Sequence, residues 1–187
     1  MKITGDWISE PATQLVCKAL GDAGFQALFV GGCVRNALLG EPVSDIDIAT
    51  DALPEGTIRC AKNAGLRAIP TGLEHGTITV ISGGIAHEIT TFRSDIDTDG
   101  RHAQVRFSKD VAEDAARRDF TMNALYADAS GAILDPMNGL PDLHKRHVRF
   151  IGDAGERIRE DYLRSMRFFR FIAWYGDPDL GVDADGL

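Results

Sequence analysis

The residues of this sequence best suited to hold a metal ion are two carboxylates placed two positions apart. Asp45 and Asp47 lie in the segment Asp-Ile-Asp-Ile-Ala, where polar and apolar residues alternate. This alternation predicts a β-strand on which both carboxylates face one side while Ile46 and Ile48 face the core. Neighbouring carboxylates repel each other, and a hard cation such as Mg²⁺ relieves that repulsion with oxygen ligands. The pattern indicates either a magnesium site or two solvent-facing acids on an edge strand.

A second pattern, just before the carboxylates, is suited to binding phosphate. The apolar run 26–30 predicts a strand that stops at Gly31-Gly32, and a short helix follows over residues 33–39. Glycines let backbone N–H groups approach a phosphate, and a helix N-terminus favours negative charge. The order strand, glycine pair, short helix and carboxylate-bearing strand is more specific than either motif alone.

Together these motifs resemble the signature of class II CCA-adding tRNA nucleotidyltransferases and bacterial poly(A) polymerases, within the polymerase-beta nucleotidyltransferase superfamily. The matching segments, in the family's order, are residues 28–40, 45–50, 117–124, 135–143 and 160–168. The resemblance covers about residues 25 to 175. It implies the head domain of such an enzyme and the start of its helical neck.

The resemblance implies a role for individual residues. Asp45 and Asp47 correspond to the family's metal-binding pair, and Glu88 is the candidate for a third catalytic carboxylate, with pairing to Arg93 or another base as the alternative. The residues implied to bind the nucleotide are Gly31, Gly32, Arg35, Arg118, Asp161, Arg164, Arg167 and Arg170. In the two-metal arrangement one Mg²⁺ activates the RNA 3′-hydroxyl and the other holds the triphosphate, and Mn²⁺ can substitute.

The family reads the incoming base with the acid and arginine that correspond to Asp161 and Arg164. Residues three apart on a helix lie side by side, so the alternative is an ordinary surface salt bridge. A carboxylate accepts from the exocyclic amine of C or A, and a guanidinium donates to the adjacent ring nitrogen. UTP and GTP present a carbonyl oxygen instead, which predicts their rejection. Arg167 and Arg170 are expected to serve the triphosphate or the packing of the helix.

Two motif residues carry expectations of their own. Asn36 stands where the family usually has Asp, and the change removes a negative charge next to Arg35. Asp119 precedes a helical pattern and is expected to cap that helix.

The activity implied is transfer of CMP or AMP units from CTP or ATP to the 3′ end of a tRNA or another RNA. One alternative is a poly(A) polymerase that uses ATP alone. Another, from a different class, is a nucleotide-binding fragment without polymerising activity. The motifs do not distinguish CCA addition from CC-only, A-only or poly(A) addition.

The elements around the motifs predict an α+β fold, with a small mixed sheet flanked by helices on one side. We expect a head domain over residues 1–145 and a truncated helical neck over 146–187. The predicted elements are helices at 10–22, 54–63 and 111–127, a hairpin of strands 75–82 and 85–92 around Gly83-Gly84, a mobile loop at 93–104, and one helix over 156–175.

The last of these helices is amphipathic, and its pattern predicts which face is buried. At 100° per residue one stripe is apolar and is expected to pack inward. That stripe consists of Tyr162, Leu163, Met166, Phe169 and Ala173. Asp161, Arg164 and Arg167 are expected on the other side.

Charge and composition narrow the class of protein. The 187 residues carry a net charge of −8, but residues 101–170 alone carry +2, with five arginines between positions 157 and 170. Such a local basic face can hold phosphates on an acidic protein. The three scattered cysteines predict reduced thiols and a cytoplasmic protein, and no apolar run is long enough for a membrane span.

Overall fold

The computed structural model of the protein describes residues 1–99 and 102–177. Within these residues the α-helices are α1 (Asp6–Ser9), α2 (Pro11–Gly21), α3 (Gly32–Leu39), α4 (Pro54–Asn63), α5 (Val111–Ala116), α6 (Leu140–His144), α7 (Ala154–Glu160) and α8 (Leu163–Tyr175). The strands are β1 (Leu28–Val30), β2 (Ile46–Thr50), β3 (Arg67–Gly72), β4 (Thr77–Ser82), β5 (Ile85–Thr91), β6 (Arg93–Asp99), β7 (His102–Phe107), β8 (Tyr126–Ala127) and β9 (Ile133–Leu134).

Seven of these strands form one mixed sheet in the order β3-β4-β5-β2-β1-β8-β9. The neighbours β2 and β5 run parallel. The other neighbours in this sheet run antiparallel. This arrangement confirms the predicted α+β class and the mixed sheet. It also places the strand that carries Asp47 at the centre of the sheet rather than at its edge.

The two faces of the central strands are covered differently. Ile46 and Ile48 pack into a core cluster with apolar residues of α2, α3 and α4. Ala49 belongs to a second cluster on the opposite face, with Val30 and Ala115. Because side chains alternate along a strand, Asp47 points away from α2, α3 and α4. The helices thus bury one face, and the carboxylate is presented on the other.

The predicted β-hairpin at 75–92 is confirmed. β4 pairs with β5, and the connection is Gly83-Gly84, with φ angles of +56° and +82°. These positive φ angles are what a tight two-residue turn requires, and glycine adopts them without steric cost.

Two other predictions for the middle of the chain are wrong. Residues 93–99 and 102–107 form the paired strands β6 and β7 rather than a loop, and residues 100 and 101 lie outside the described part. The helix predicted over 111–127 ends at Ala116. The carbonyl groups of Arg117 and Arg118 accept hydrogen bonds from the Arg157 guanidinium, which competes with continuation of the helix.

The predicted helix at 156–175 is two helices, and its buried face was assigned wrongly. Asp161, between α7 and α8, is extended at φ −152° and ψ 106°. α8 buries the face that carries Phe168 and Phe171, and both rings pack against Phe120. The residues expected inside are instead exposed: Tyr162 (69%), Leu163 (68%), Met166 (70%) and Phe169 (55%), together with Ala173.

None of the helices in residues 1–99 and 102–177 is both long enough and apolar enough to cross a membrane.

Candidate active site

Three carboxylates of the predicted site come together around the parallel strand pair. Asp47 on β2 is in register with Glu88 on β5, and Asp45 immediately precedes β2. Burial raises the pKa of the Asp47 carboxyl, the charges of Glu88 and Asp45 raise it further, and Arg118 lowers it. Negative charge is therefore crowded at Asp47, and a bound cation would relieve it.

Asp45 and Asp47 face a cavity of about 330 Å³ beside the glycine turn, whereas Glu88 does not line it. We call it the first cavity. Its lining includes Gly32, Arg35, Asn36, Asp45, Asp47 and Trp174. Gly31, with φ +70°, forms the turn that leads from β1 into α3, and α3 begins without a side-chain cap. The first cavity thus combines paired carboxylates with the N-terminal end of an eight-residue helix.

Arg35 is a buried cation surrounded by neutral hydrogen-bond acceptors. It is 7% exposed. Its Nη1 donates to Asn123 Oδ1, its Nη2 donates to the Tyr175 hydroxyl at 2.9 Å, and both Nε and Nη2 donate to Asn36 Oδ1. Burial lowers its pKa, and in the described part of the chain no carboxylate lies within 4.0 Å to form an ion pair with it. Burying a charge without a counter-ion is costly, so this position favours an anionic ligand.

Arg118 differs, because its charge is already compensated. Its Nη2 lies 3.0 Å from Asp114 Oδ2, and its Nε donates to the Tyr126 hydroxyl. Burial alone would lower the pKa of Arg118, but Tyr126 and Asp114 raise it above its usual value. Its Nη1 lies 3.6 Å from the position that a Cβ on Gly31 would occupy. Arg118 therefore lies next to the glycine turn, where Asp114 and Tyr126 hold its guanidinium in place.

A chain of hydrogen bonds connects Arg35 to the last helix. Asn123, which accepts from Arg35, donates to Asp119 Oδ1. Asp119 Oδ2 accepts from Arg167 Nε at 2.8 Å and Nη2 at 2.6 Å. The prediction that Asp119 caps a helix is wrong, because the 3-10 turn that follows has no side-chain cap. Instead Asp119 joins the head to α8, and two donors of Arg167 are engaged there.

At the start of α8, the Arg164 backbone N–H donates to the Asp161 carbonyl at 3.0 Å, but among the described residues the two side chains form no hydrogen bond or ion pair with each other. Arg164 Nη1 donates to Glu160 Oε2 at 2.6 Å, while Asp161 Oδ1 accepts from the Leu163 backbone N–H. Glu160 also pairs with Arg157 at 2.8 Å. The expectation that the heads of Asp161 and Arg164 lie side by side is wrong, since the chain is extended at Asp161.

Sequence reasoning missed three residues of this site. Glu160 orients Arg164, and its i,i+4 spacing was a signal that could have been found. Tyr175 stacks on Arg35, with 4.2 Å between the guanidinium carbon and the ring centroid. Arg117, adjacent to Arg118, lines a further cavity. No local signal identifies either of these two.

Arg170, a predicted site residue, lies over the ring of Trp174, with 5.6 Å between its guanidinium carbon and the ring centroid.

The mixed sheet, the glycine turn and the pair Asp45 and Asp47 facing one cavity define a nucleotidyltransferase type of head domain. Residues 27–149 match the family described as the poly A polymerase head domain. The chain belongs to this family.

Individual relatives of this chain support the same family assignment. The CCA-adding enzyme of Lactobacillus delbrueckii subsp. bulgaricus is 45% identical over 170 residues, which are 89% of this chain and 42% of the relative. The crystal structure of the Bacillus stearothermophilus CCA-adding enzyme in complex with CTP superposes with a TM-score of 0.78 at 42% identity, covering 86% of this chain and 38% of that one. A tRNA nucleotidyltransferase complexed with a primer tRNA and an incoming ATP analog gives 0.68 at 28% identity, covering 84% of this chain and 44% of that one. The chain spans about two fifths of the length of these proteins.

Proposed function

We propose that this chain is the catalytic head of an enzyme that adds CMP and AMP units from CTP and ATP to the 3′ end of tRNA. The similarity to CCA-adding enzymes supports this choice over a poly(A) polymerase using ATP alone. Residues 1–145 form the proposed head and residues 146–187 the start of the neck. Between 154 and 177 the described part of the neck holds the two helices α7 and α8.

The burial of the Arg35 charge is the observation that carries the proposal. The side chain has no carboxylate partner within the described residues. It lines the first cavity beside the N-terminus of α3. A triphosphate would supply the missing negative charge, and the glycine turn lets backbone N–H groups approach it. Asn36 strengthens this effect, since it accepts from Arg35 without neutralising it.

The carboxylates fit the divalent metal that the family implies. Asp45 and Asp47 both line the first cavity, where burial raises the pKa of the Asp47 carboxyl and the charges of Glu88 and Asp45 raise it further. Across residues 1–99 and 102–177, no group of three His, Cys, Asp or Glu side chains is arranged to hold a metal ion. The pair Asp45 and Asp47 suits Mg²⁺, which prefers one or two carboxylates together with substrate phosphates, and Mn²⁺ can replace it. When bound, the metal supplies positive charge that polarises the phosphates and lowers the pKa of a nearby hydroxyl.

The chain's own residues position the reactants for transfer. The 3′-oxygen of the RNA forms a bond to the α-phosphorus of the nucleotide, and the bond to pyrophosphate breaks. Glu88 accepts a hydrogen bond from the attacking hydroxyl, and its proton leaves to Glu88 or to water. Arg118, held by Asp114, lies beside the glycine turn without needing to reorganise.

Asp161 and Arg164 select the base in this proposal. Arg164 is held by Glu160, so its remaining guanidinium N–H groups have a defined direction. Asp161 uses one oxygen for the Leu163 backbone N–H, which leaves the second to accept from an amine of C or A. Arg167 acts through Asp119 and Asn123 on Arg35, and Arg170 lies with Trp174 at the first cavity.

The test is CTP and ATP binding to wild type and to Arg35→Gln. We expect the variant to bind both about 10- to 100-fold more weakly, corresponding to one lost charge-assisted contact of about 1.5–3 kcal/mol. Arg59→Gln is the matched control, because Arg59 is exposed on α4 and should leave binding unchanged. Equal affinities in Arg35→Gln and wild type would contradict the proposal. Binding of ATP without CTP would support poly(A) synthesis instead.

A further inference from the structure

The loop that joins α3 to β2 forms one wall of the first cavity. It runs over residues 40–45, and its members Val43, Ser44 and Asp45 line the cavity together with Asn36 of α3. Asp45 lies at the end of this loop, immediately before β2, and both Ser44 and Asp45 are exposed. Exposed segments with few packing contacts are the parts of a protein that move most readily. The position of the Asp45 carboxylate therefore depends on what fastens the loop.

Asn36 fastens this loop to α3 at two points. Its Nδ2 donates to the Pro42 carbonyl at 2.9 Å, and its own carbonyl accepts from the Glu41 backbone N–H at 2.9 Å. On the other side of the same amide, Asn36 Oδ1 accepts from Arg35 Nε at 3.2 Å and from Arg35 Nη2 at 3.0 Å. One side chain thus connects the loop that carries Asp45 to the buried guanidinium of Arg35.

The chemistry of the amide is what both connections require. An amide offers a donor and an acceptor on one side chain, whereas an ionised carboxylate only accepts. A carboxylate at position 36 could accept from Arg35, but it would face the Pro42 carbonyl without a proton to donate. It would also compensate the charge of Arg35. Asn36 therefore keeps the loop attached and leaves the Arg35 charge for a ligand.

We propose that Asn36 is a positioning residue, which holds the metal-binding carboxylate Asp45 at a fixed distance from Arg35 so that one metal-chelated triphosphate contacts both. This inference rests on the proposed function. The phosphates of a free nucleotide need only Arg35, whereas a metal ion shared between the phosphates and Asp45 needs the loop in place. Asn36 therefore governs the gain in affinity that Mg²⁺ provides, more than the affinity for the free nucleotide.

The experiment is a titration of CTP, with and without Mg²⁺, into the full chain carrying Asn36→Ala or Asn36→Asp. Wild type should gain about tenfold or more from Mg²⁺, and Asn36→Ala should gain less than about threefold, because the loop is released. Without Mg²⁺, Asn36→Ala should bind CTP within about twofold of wild type, since Arg35 keeps its charge. Asn36→Asp should then bind it about 5- to 10-fold more weakly, because the new carboxylate compensates Arg35.

Two features of these variants keep the experiment interpretable. Alanine is favourable within α3 and aspartate has the shape of asparagine, so both variants should fold. Asn63→Ala is the matched control, because Asn63 is exposed at the end of α4 and should leave both affinities as in wild type.

The outcomes separate this inference from the proposed function. A wild type that binds no CTP would overturn the proposed function. A wild type that gains nothing from Mg²⁺ would overturn the inference and leave the nucleotide site at Arg35 standing. The inference alone would be overturned by an Asn36→Ala variant that keeps the full gain from Mg²⁺, or by one that loses affinity equally with and without Mg²⁺, which is the pattern of a merely structural role. Unchanged metal-free affinity in Asn36→Asp would also overturn it.

Discussion

The two ends of this active site are held in place by different forces. At the carboxylate end, Asp45, Asp47 and Glu88 are placed by the backbone hydrogen bonds of the β2–β5 pair, and their charges repel one another. At the helical end, around α7 and α8, the site residues are instead held by ion pairs with other side chains. There Arg164 is paired with Glu160 at 2.6 Å, and Arg167 with Asp119 at 2.6 Å.

This difference has a consequence for stability and function. A rigid sheet can hold like charges close to one another. Removing one of these charges therefore relieves electrostatic repulsion and at the same time removes a functional group. An ion-pair network stabilises the structure that it orients, so removing a member costs stability as well. The same type of substitution should therefore act in opposite directions at the two ends.

Base discrimination at the helical end gives the largest expected effect. Asp161→Ala should reduce the preference for CTP and ATP over UTP and GTP by about 1.5–3 kcal/mol, because one charge-assisted contact is lost. Stability should fall by less than about 1 kcal/mol, since the side chain bonds only to the Leu163 backbone N–H in the described residues. The measurements are binding of the four triphosphates and thermal unfolding. An unchanged order of affinities would remove base selection from Asp161.

The next largest effect is expected at the ion pair between Asp119 in the head and Arg167 on α8. Arg167→Gln should lower the free energy of unfolding by about 1–2 kcal/mol, because it leaves the buried Asp119 carboxylate with a weaker partner. Arg170→Gln on the same helix is the control, as Arg170 contacts the exposed Trp174. Denaturant unfolding measures both variants. Equal stability of the two would show that the Asp119 link contributes nothing.

The carboxylate end should respond in the opposite direction and by the smallest amount. Asp47→Asn should raise the melting temperature by about 1–3 °C, because it removes the cost of burying the charge and its repulsion from Glu88 and Asp45. A carboxyl with a raised pKa in the folded state destabilises that state only where the carboxyl is ionised. The gain should therefore be absent below about pH 4, grow as the pH rises through the pKa of folded Asp47, and then level off. The exposed Asp6→Asn is the control, and a lower melting temperature in Asp47→Asn at neutral pH would show that this end is not strained.

The carboxylate end was the more predictable of the two. Alternation of Asp and Ile fixes the face of a strand, and a glycine pair marks a turn, so both signals are local. The face of Asp47 and the hairpin that bears Glu88 therefore followed from the sequence. The burial of Arg35 did not, because its partners Asn123 and Tyr175 are 88 and 140 positions away.

The helical end was predicted less well because its geometry depends on tertiary contacts. Periodicity alone treats residues 156–175 as one helix, but the extended backbone at Asp161 turns α8 so that Phe168 and Phe171 face the core. α8 carries large apolar side chains on more than one face, so periodicity alone does not decide which face packs against Phe120. The end of α5 is similar, since it depends on Arg157, about forty positions further along the chain.

The most direct test of the account is a titration of CTP with and without Mg²⁺ into wild type and Asp45→Asn/Asp47→Asn. If these carboxylates hold the metal beside the triphosphate, Mg²⁺ should strengthen CTP binding to wild type about tenfold or more and should not strengthen binding to the double variant. The exposed Asp6→Asn should behave as wild type. Equal strengthening by Mg²⁺ in wild type and the double variant would contradict the assignment of the first cavity as the metal–nucleotide site.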